Sequence, residues 1–181
     1  ACSAQWVPIK PKTDPAFLYA LIHVLLHEIA RERLDVDFLA KRTASPYLVG
    51  EHGYYLRDRS TRAPLVWDRS SGSAKPHDTA AIDEALEGSY AAEAIEIGPD
   101  GDVLAEGMLN GQTGLTRLVE HMRAYSPEWA ASICDVSAAV MRRIANEYID
   151  HVCVGETIEI EGRTMPYRPG AVQLGKTVDN G

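Results

Sequence analysis

Residues 94–105 read AIEIGPDGDVLA. Two runs suited to strands, Ala94–Ile97 and Val103–Ala105, stand on either side of Pro99-Asp100-Gly101. Proline presets the φ that a turn needs, and glycine admits a left-handed backbone. The stretch therefore reads as a β-hairpin.

Downstream of it the pattern turns helical. Gly114 to Tyr125 carries Leu115, Leu118, Val119 and Met122 at helical spacing. Ser126-Pro127 supplies a capping hydroxyl and a proline for the first helical position, which opens a short helix through Cys134. Asp135 or Ser137 caps a further helix with Val140, Ile144, Tyr148 and Val152 on one face. Thr157–Ile160 and Thr164–Tyr167 then flank Glu161-Gly162, a second hairpin signal.

Upstream of the hairpin, Ser70–Thr79 (SSGSAKPHDT) is polar and rich in breakers, so a surface loop is expected there. Tyr47–Val49, Tyr54–Leu56 and Leu65–Trp67 read as short strands, and Asp35–Arg42 as a short helix. Near the N-terminus, Phe17, Leu18, Leu21, Ile22, Leu25 and Ile29 recur at helical spacing. The helix should run from about Pro15 to Arg33, with Thr13 or Asp14 as its cap.

The bulk composition bounds the function classes. A chain of 181 residues that is 45% hydrophobic and 24% charged is an ordinary globule. A net charge of −8 argues against a nucleic-acid partner, and no apolar run reaches membrane-spanning length. Cys2, Cys134 and Cys153 are odd in number and lack C-x-x-C spacing, so neither a disulfide framework nor a zinc site is expected. Cys134 and Cys153 sit among apolar residues and read as buried thiols. The N-terminus lacks an initiator Met and the C-terminus stops in mid-pattern, as in a piece of a larger protein.

Few residue constellations point to chemistry. Gly170, Gly175, Lys176 and Thr177 match the phosphate-loop pattern G-x-x-x-x-G-K-[ST]. Such a loop needs a buried strand before it and a helix after it. Here Pro166 and Pro169 precede it and four residues follow, so a short strand ending in a loop is the expectation. His23 and His27 are four apart, but HVLLH is not H-E-x-x-H, and two structural histidines are expected. No catalytic residue and no metal ligand set stands out. Asp14 sits at a loop-to-helix junction, where a carboxylate can accept two parallel hydrogen bonds from a planar donor pair such as guanine N1–H and N2–H₂. On spacing alone a plain helix cap explains it equally simply.

Four pieces of the chain, in order, carry a family resemblance: WVPIKPKTDPAFLYALIHVLLHE (6–28), DFLAKRTASPYLV (37–49), PLVWD (64–68) and YSPEWAASICDVSAAVMRRIANEY (125–148). They resemble segments of molybdopterin oxidoreductases of the dimethyl-sulfoxide-reductase family. The resemblance implies a three-layer α/β fold with a mostly parallel sheet and small hairpin insertions. It implies a nucleotide-binding-like domain over 1–155, and a hairpin with the start of a crossover to the next domain over 156–181. In that family two molybdopterin guanine dinucleotides hold molybdenum or tungsten, and the Asp of a G-T-D segment binds one guanine. Carried over, that residue is Asp14, with Thr13 and Lys12 beside it, and Lys12 replaces the usual glycine.

The family's metal-ligating residue lies upstream of the W-V-P-I segment and has no counterpart here, so the chain by itself is expected to hold no cofactor. The implied partners are an iron–sulfur electron-transfer subunit and the remaining domains of a catalytic subunit, with no nucleic acid and no membrane insertion. The hairpin TIEIEGRTMPYRP (157–169) resembles members acting on sulfur or arsenic oxyanions. The competing reading is a free-standing, non-catalytic α/β binding or assembly module.

Overall fold

The structure, a computed structural model, describes residues 5–172. In chain order its elements are α1 (Asp14–His23), a π-helical turn (Val24–Glu28), a 3₁₀ turn (Arg31–Arg33), α2 (Val36–Arg42), β1 (Leu48–Val49), β2 (Leu56–Arg57), β3 (Leu65–Asp68), β4 (Ser73–Pro76), β5 (Ser89–Ile97), β6 (Val103–Thr113), α3 (Gly114–Met122), α4 (Pro127–Cys134), α5 (Ala138–His151), β7 (Thr157–Ile160) and β8 (Arg163–Pro166). The chain divides into two compact units. One holds the described residues up to Asp35 and from His121 onward, and the other is Val36–Glu120.

The continuous unit is built on the hairpin of residues 94–105. β5 and β6 pair antiparallel from Ser89↔Gln112 to Ile97↔Val103, with a bulge between Glu96 and Ile97. The strands run well beyond the stretch that signals them, because Ala91, Ala92, Gly107 and Gly111 carry little strand propensity of their own. β1 adds antiparallel to β6 and β2 antiparallel to β5, giving the order β1-β6-β5-β2. A bridge between Val49 and Tyr55 curls the two edges of this sheet toward each other. β3 and β4 form a second antiparallel pair, so the expected loop over Ser70–Thr79 contains a strand. The core is Leu48, Leu56, Leu65, Ala92 and Ala94.

The expected three-layer, mostly parallel sheet is not what forms: every strand pairing is antiparallel. The reason is connection length. Parallel neighbours need a crossover of a dozen or more residues, usually a helix. Here β5 passes to β6 through a tight turn in which Gly98 N–H bonds to Asp102 O and Gly101 takes φ 89°.

In the other unit the helices pack on one another. Ala16 and Ala20 of α1, Ala130 and Cys134 of α4, and Val136 and Met141 at the start of α5 form its core. Small residues at these positions let helix backbones approach closely, and the contact is reinforced by Val7 and Ile9 from the N-terminal segment. α4 begins as expected: Ser126 Oγ accepts from Trp129 N–H at 3.2 Å and Pro127 takes the first helical position. Asp135, at φ 61°, ends it. Ser137 caps α5, and the buried seam there is Met141, Ala145 and Val152, about one residue round from the expected face.

The long N-terminal helix expected to reach Arg33 stops at Glu28. Its last turn widens, with Ile29 N–H bonding five residues back to Val24 O, and Ile29 is then extended. β7 and β8 form the expected hairpin, with Glu161 and Gly162 both at positive φ as a type I′ turn requires. Most of the phosphate-loop pattern, from Gln173 to Thr177, lies outside the described residues. Among the described residues no helix is long and apolar enough to cross a membrane.

Candidate functional site

The segment Trp6–Asp14 reaches α1 without regular structure. Lys10 N–H bonds to Cys134 O at 3.1 Å, which ties the segment to the C-terminal end of α4. Thr13 N–H and Thr13 Oγ1 both donate to Lys10 O, the hydroxyl at 2.6 Å, and close a tight turn. Lys12 at its apex has φ 68°, a left-handed conformation that glycine adopts freely and other residues adopt at a cost. Lysine therefore stands here in a glycine backbone, with its side chain exposed.

Thr13 is the N-cap of α1, but its hydroxyl is spent on Lys10 O and makes no side-chain cap bond. Asp14 follows in the first turn and is half-buried. Its carboxylate has no hydrogen bond or ion pair among the described residues, so it caps nothing. An acceptor pair at a helix start, next to the positive end of the helix dipole and not used by the fold, is what a planar double donor needs.

Several features hold this corner rigid. Tyr125 stacks edge-on between Tyr19 of α1 and Trp129 of α4, at 5.1 and 5.0 Å between ring centroids. Arg142 of α5 binds Glu28 and Glu128 through two hydrogen bonds each, which couples the end of the first helix to α4. The Arg142 bonds pull Glu128 down to a pKa of about 2, and the two carboxylates push Arg142 up. His23 is nearly buried, with Nδ1 2.8 Å from Met122 O, and His27 lies over it at 4.6 Å. Both histidines thus have partners within the fold. Among the described residues no three His, Cys, Asp or Glu side chains are grouped to hold a metal. Cys134 is buried as expected, whereas Cys153 is only half-buried.

The continuous unit holds two polar centres that sequence reading missed. Asp68 is fully buried and accepts from Lys75, Ser70, Ser71 and the Asp83 N–H. The Lys75 ammonium above all, then the serine hydroxyls, hold its carboxyl far below the usual range. Glu96, also buried, accepts from Tyr54 N–H at 3.1 Å and lies 2.9 Å from Nδ1 of His52. The only advance sign of the first is the cluster Asp68-x-Ser70-Ser71; the second joins residues 44 apart and leaves no local trace.

No protein-family model matches the chain. The chain is, however, a distant homologue of part of an oxidoreductase. That relative is a sulfite dehydrogenase subunit of Allochromatium vinosum, 31% identical over 161 residues that make up 81% of this chain. The chain spans 15% of the relative's length.

Proposed function

We propose that the chain is a cofactor-binding portion of the catalytic subunit of a molybdenum or tungsten oxidoreductase of the dimethyl-sulfoxide-reductase family, acting on a sulfur oxyanion. The observation that carries this reading is the identity to the sulfite dehydrogenase subunit across four-fifths of the chain. When bound, a molybdopterin guanine dinucleotide pair with its metal supplies two-electron redox or oxygen-atom transfer. The remaining domains of the subunit supply the rest of the pocket, and an iron–sulfur subunit carries the electrons away.

In this reading Asp14 receives the guanine of one dinucleotide through N1–H and N2–H₂. The residues fit the group: the carboxylate is half-buried and has no partner among the described residues. Lys12 keeps the glycine-like backbone that presents Thr13 and Asp14, and directs its own side chain to solvent. The Lys10–Thr13 turn and the Lys10–Cys134 bond fix the carboxylate in place before the nucleotide arrives.

The test is Asp14→Asn in the complete subunit, read by nucleotide and metal content. The amide would face one guanine donor with a donor of its own, so cofactor retention drops. Each charge-assisted bond of this kind contributes about 1.5–3 kcal/mol. In the isolated chain the same change leaves the melting temperature nearly unchanged, because Asp14 makes no capping bond. Full cofactor content in the variant would remove the guanine role. An open reading frame coding for this chain alone would refute the larger proposal.

A further inference from the structure

We propose that the continuous unit carries a binding site for a small oxyanion, of the sulfate, sulfite or phosphate kind, between Arg57 and Arg117. The inference starts from charge. Within Val36–Glu120, Lys41, Arg59, Arg69 and Lys75 all pair with carboxylates. Arg42 and Arg62 are exposed. Arg57 and Arg117 are half-buried and have no carboxylate partner among the described residues, and both line the same cavity of about 610 Å³. No aspartate or glutamate lines that cavity, although the chain carries 26 acidic residues against 18 lysines and arginines.

The two guanidinium groups are held in place by the fold. Arg57 donates one N–H to Arg62 O at 2.8 Å, and Arg117 donates one to Gly50 O at 2.8 Å. Each keeps its other donors. A guanidinium is a rigid fork that matches two oxygens at once, and anchoring it on a backbone carbonyl removes most of the entropy lost on binding. Two forks on one cavity suit an anion with three or four oxygens better than a lone carboxylate. Tyr54 and Tyr55, both about a third exposed, line the same wall and bring phenol hydroxyls as further donors. Gly53 and Gly98 leave the cavity floor without side chains. The buried carboxylate of Glu96 is the nearest built-in negative charge along Tyr54, and its oxygens are taken by Tyr54 N–H and His52.

This site is separate from Asp14, and its test does not involve the cofactor. The 181-residue chain is titrated by calorimetry with sodium sulfate, sodium sulfite and sodium phosphate, against sodium chloride at matched ionic strength. Saturable binding of at least one oxyanion is expected, and the strongest of the three arms identifies the preferred geometry. Arg57→Gln and Arg117→Gln should each weaken that binding about tenfold. Arg59→Gln, whose arginine is already paired with Glu93 and Glu106, should leave it unchanged. Should a Gln variant melt early because a backbone carbonyl loses its donor, Arg57→Lys and Arg117→Lys keep the charge but lose the fork and should weaken binding by a few-fold. Binding no stronger than the chloride control, or an equal loss in Arg59→Gln, overturns the proposal.

Discussion

Nδ1 of His52 lies 2.9 Å from Oε2 of Glu96, and a β-carbon on Gly50 would overlap that same carboxylate. The glycine is therefore there for space, since its backbone is not left-handed. Gly50→Ala should destabilise the chain by about 1–3 kcal/mol, the usual cost of overpacking a tight site. Glu96→Ala should cost a similar amount, about 1–3 kcal/mol, by stranding the Tyr54 N–H. In the double variant the two costs should fall short of additive, because removing the carboxylate makes room for the alanine. Urea unfolding of the four proteins measures this; strict additivity would mean that Gly50 and Glu96 do not share the space.

Lys12→Gly should stabilise the chain. Lysine at φ 68° carries about 1–2 kcal/mol of left-handed strain, and glycine returns about 0.5–1 kcal/mol of that through the freer unfolded chain. A net gain of up to about 1 kcal/mol is expected, read as a rise in melting temperature. Lys12→Ala should give no such gain. If both variants behave alike, the backbone at residue 12 is not what the turn demands.

Glu128 sets an acid limit. Its pKa falls from 4.5 in the unfolded reference to about 2 in the fold, chiefly through Arg142. A depressed carboxylate stabilises the fold above the unfolded value, and that contribution is lost as pH falls from about 4.5 toward 2. Asp58, brought to about 2 by the Thr61 N–H and the Ser60 and Thr61 hydroxyls, adds to the same window. Melting temperature followed from pH 6 to pH 2 should drop, and Glu128→Gln should flatten part of that drop while lowering the plateau. An unchanged acid limb in Glu128→Gln would show that the Arg142 pairing contributes nothing in solution.

Ser126→Ala removes the hydroxyl that accepts from Trp129 N–H. The expected loss is about 1 kcal/mol, and Ser126→Asp should restore it. Chemical denaturation of the three proteins decides the point.

Local signals were the legible part of this chain. Ser126-Pro127, Ser137 and Glu161-Gly162 each announce themselves within a few residues, and the elements they begin or join stand where the sequence puts them. β5 and β6 were visible only at their turn, because their other halves are built from alanine, glycine and polar residues whose pairing is decided by neighbours. The parallel sheet expected from resemblance failed for a related reason. Two of the four matching pieces, residues 6–28 and 125–148, cover the helical unit, and the segment from Ser70 to Gly107, which carries most of the antiparallel ladder, resembles that family least. In the candidate site, the position of Asp14 at a helix start was readable, but that Thr13 and not Asp14 would serve as N-cap depended on the Lys10 turn. Arg57 and Arg117 come together only through the sheet that separates them in sequence.

The division of the chain also sets an order of events in synthesis. Val36–Glu120 is one uninterrupted stretch, so its ladder from β1 to β6 can close as soon as α3 has left the ribosome. The helical unit cannot: Ala16 and Ala20 must wait for Ala130 and Cys134, across a gap on the order of a hundred residues whose closure carries an entropic cost. Until then α1 travels with its apolar stripe uncovered, a nascent helix in need of a temporary cover.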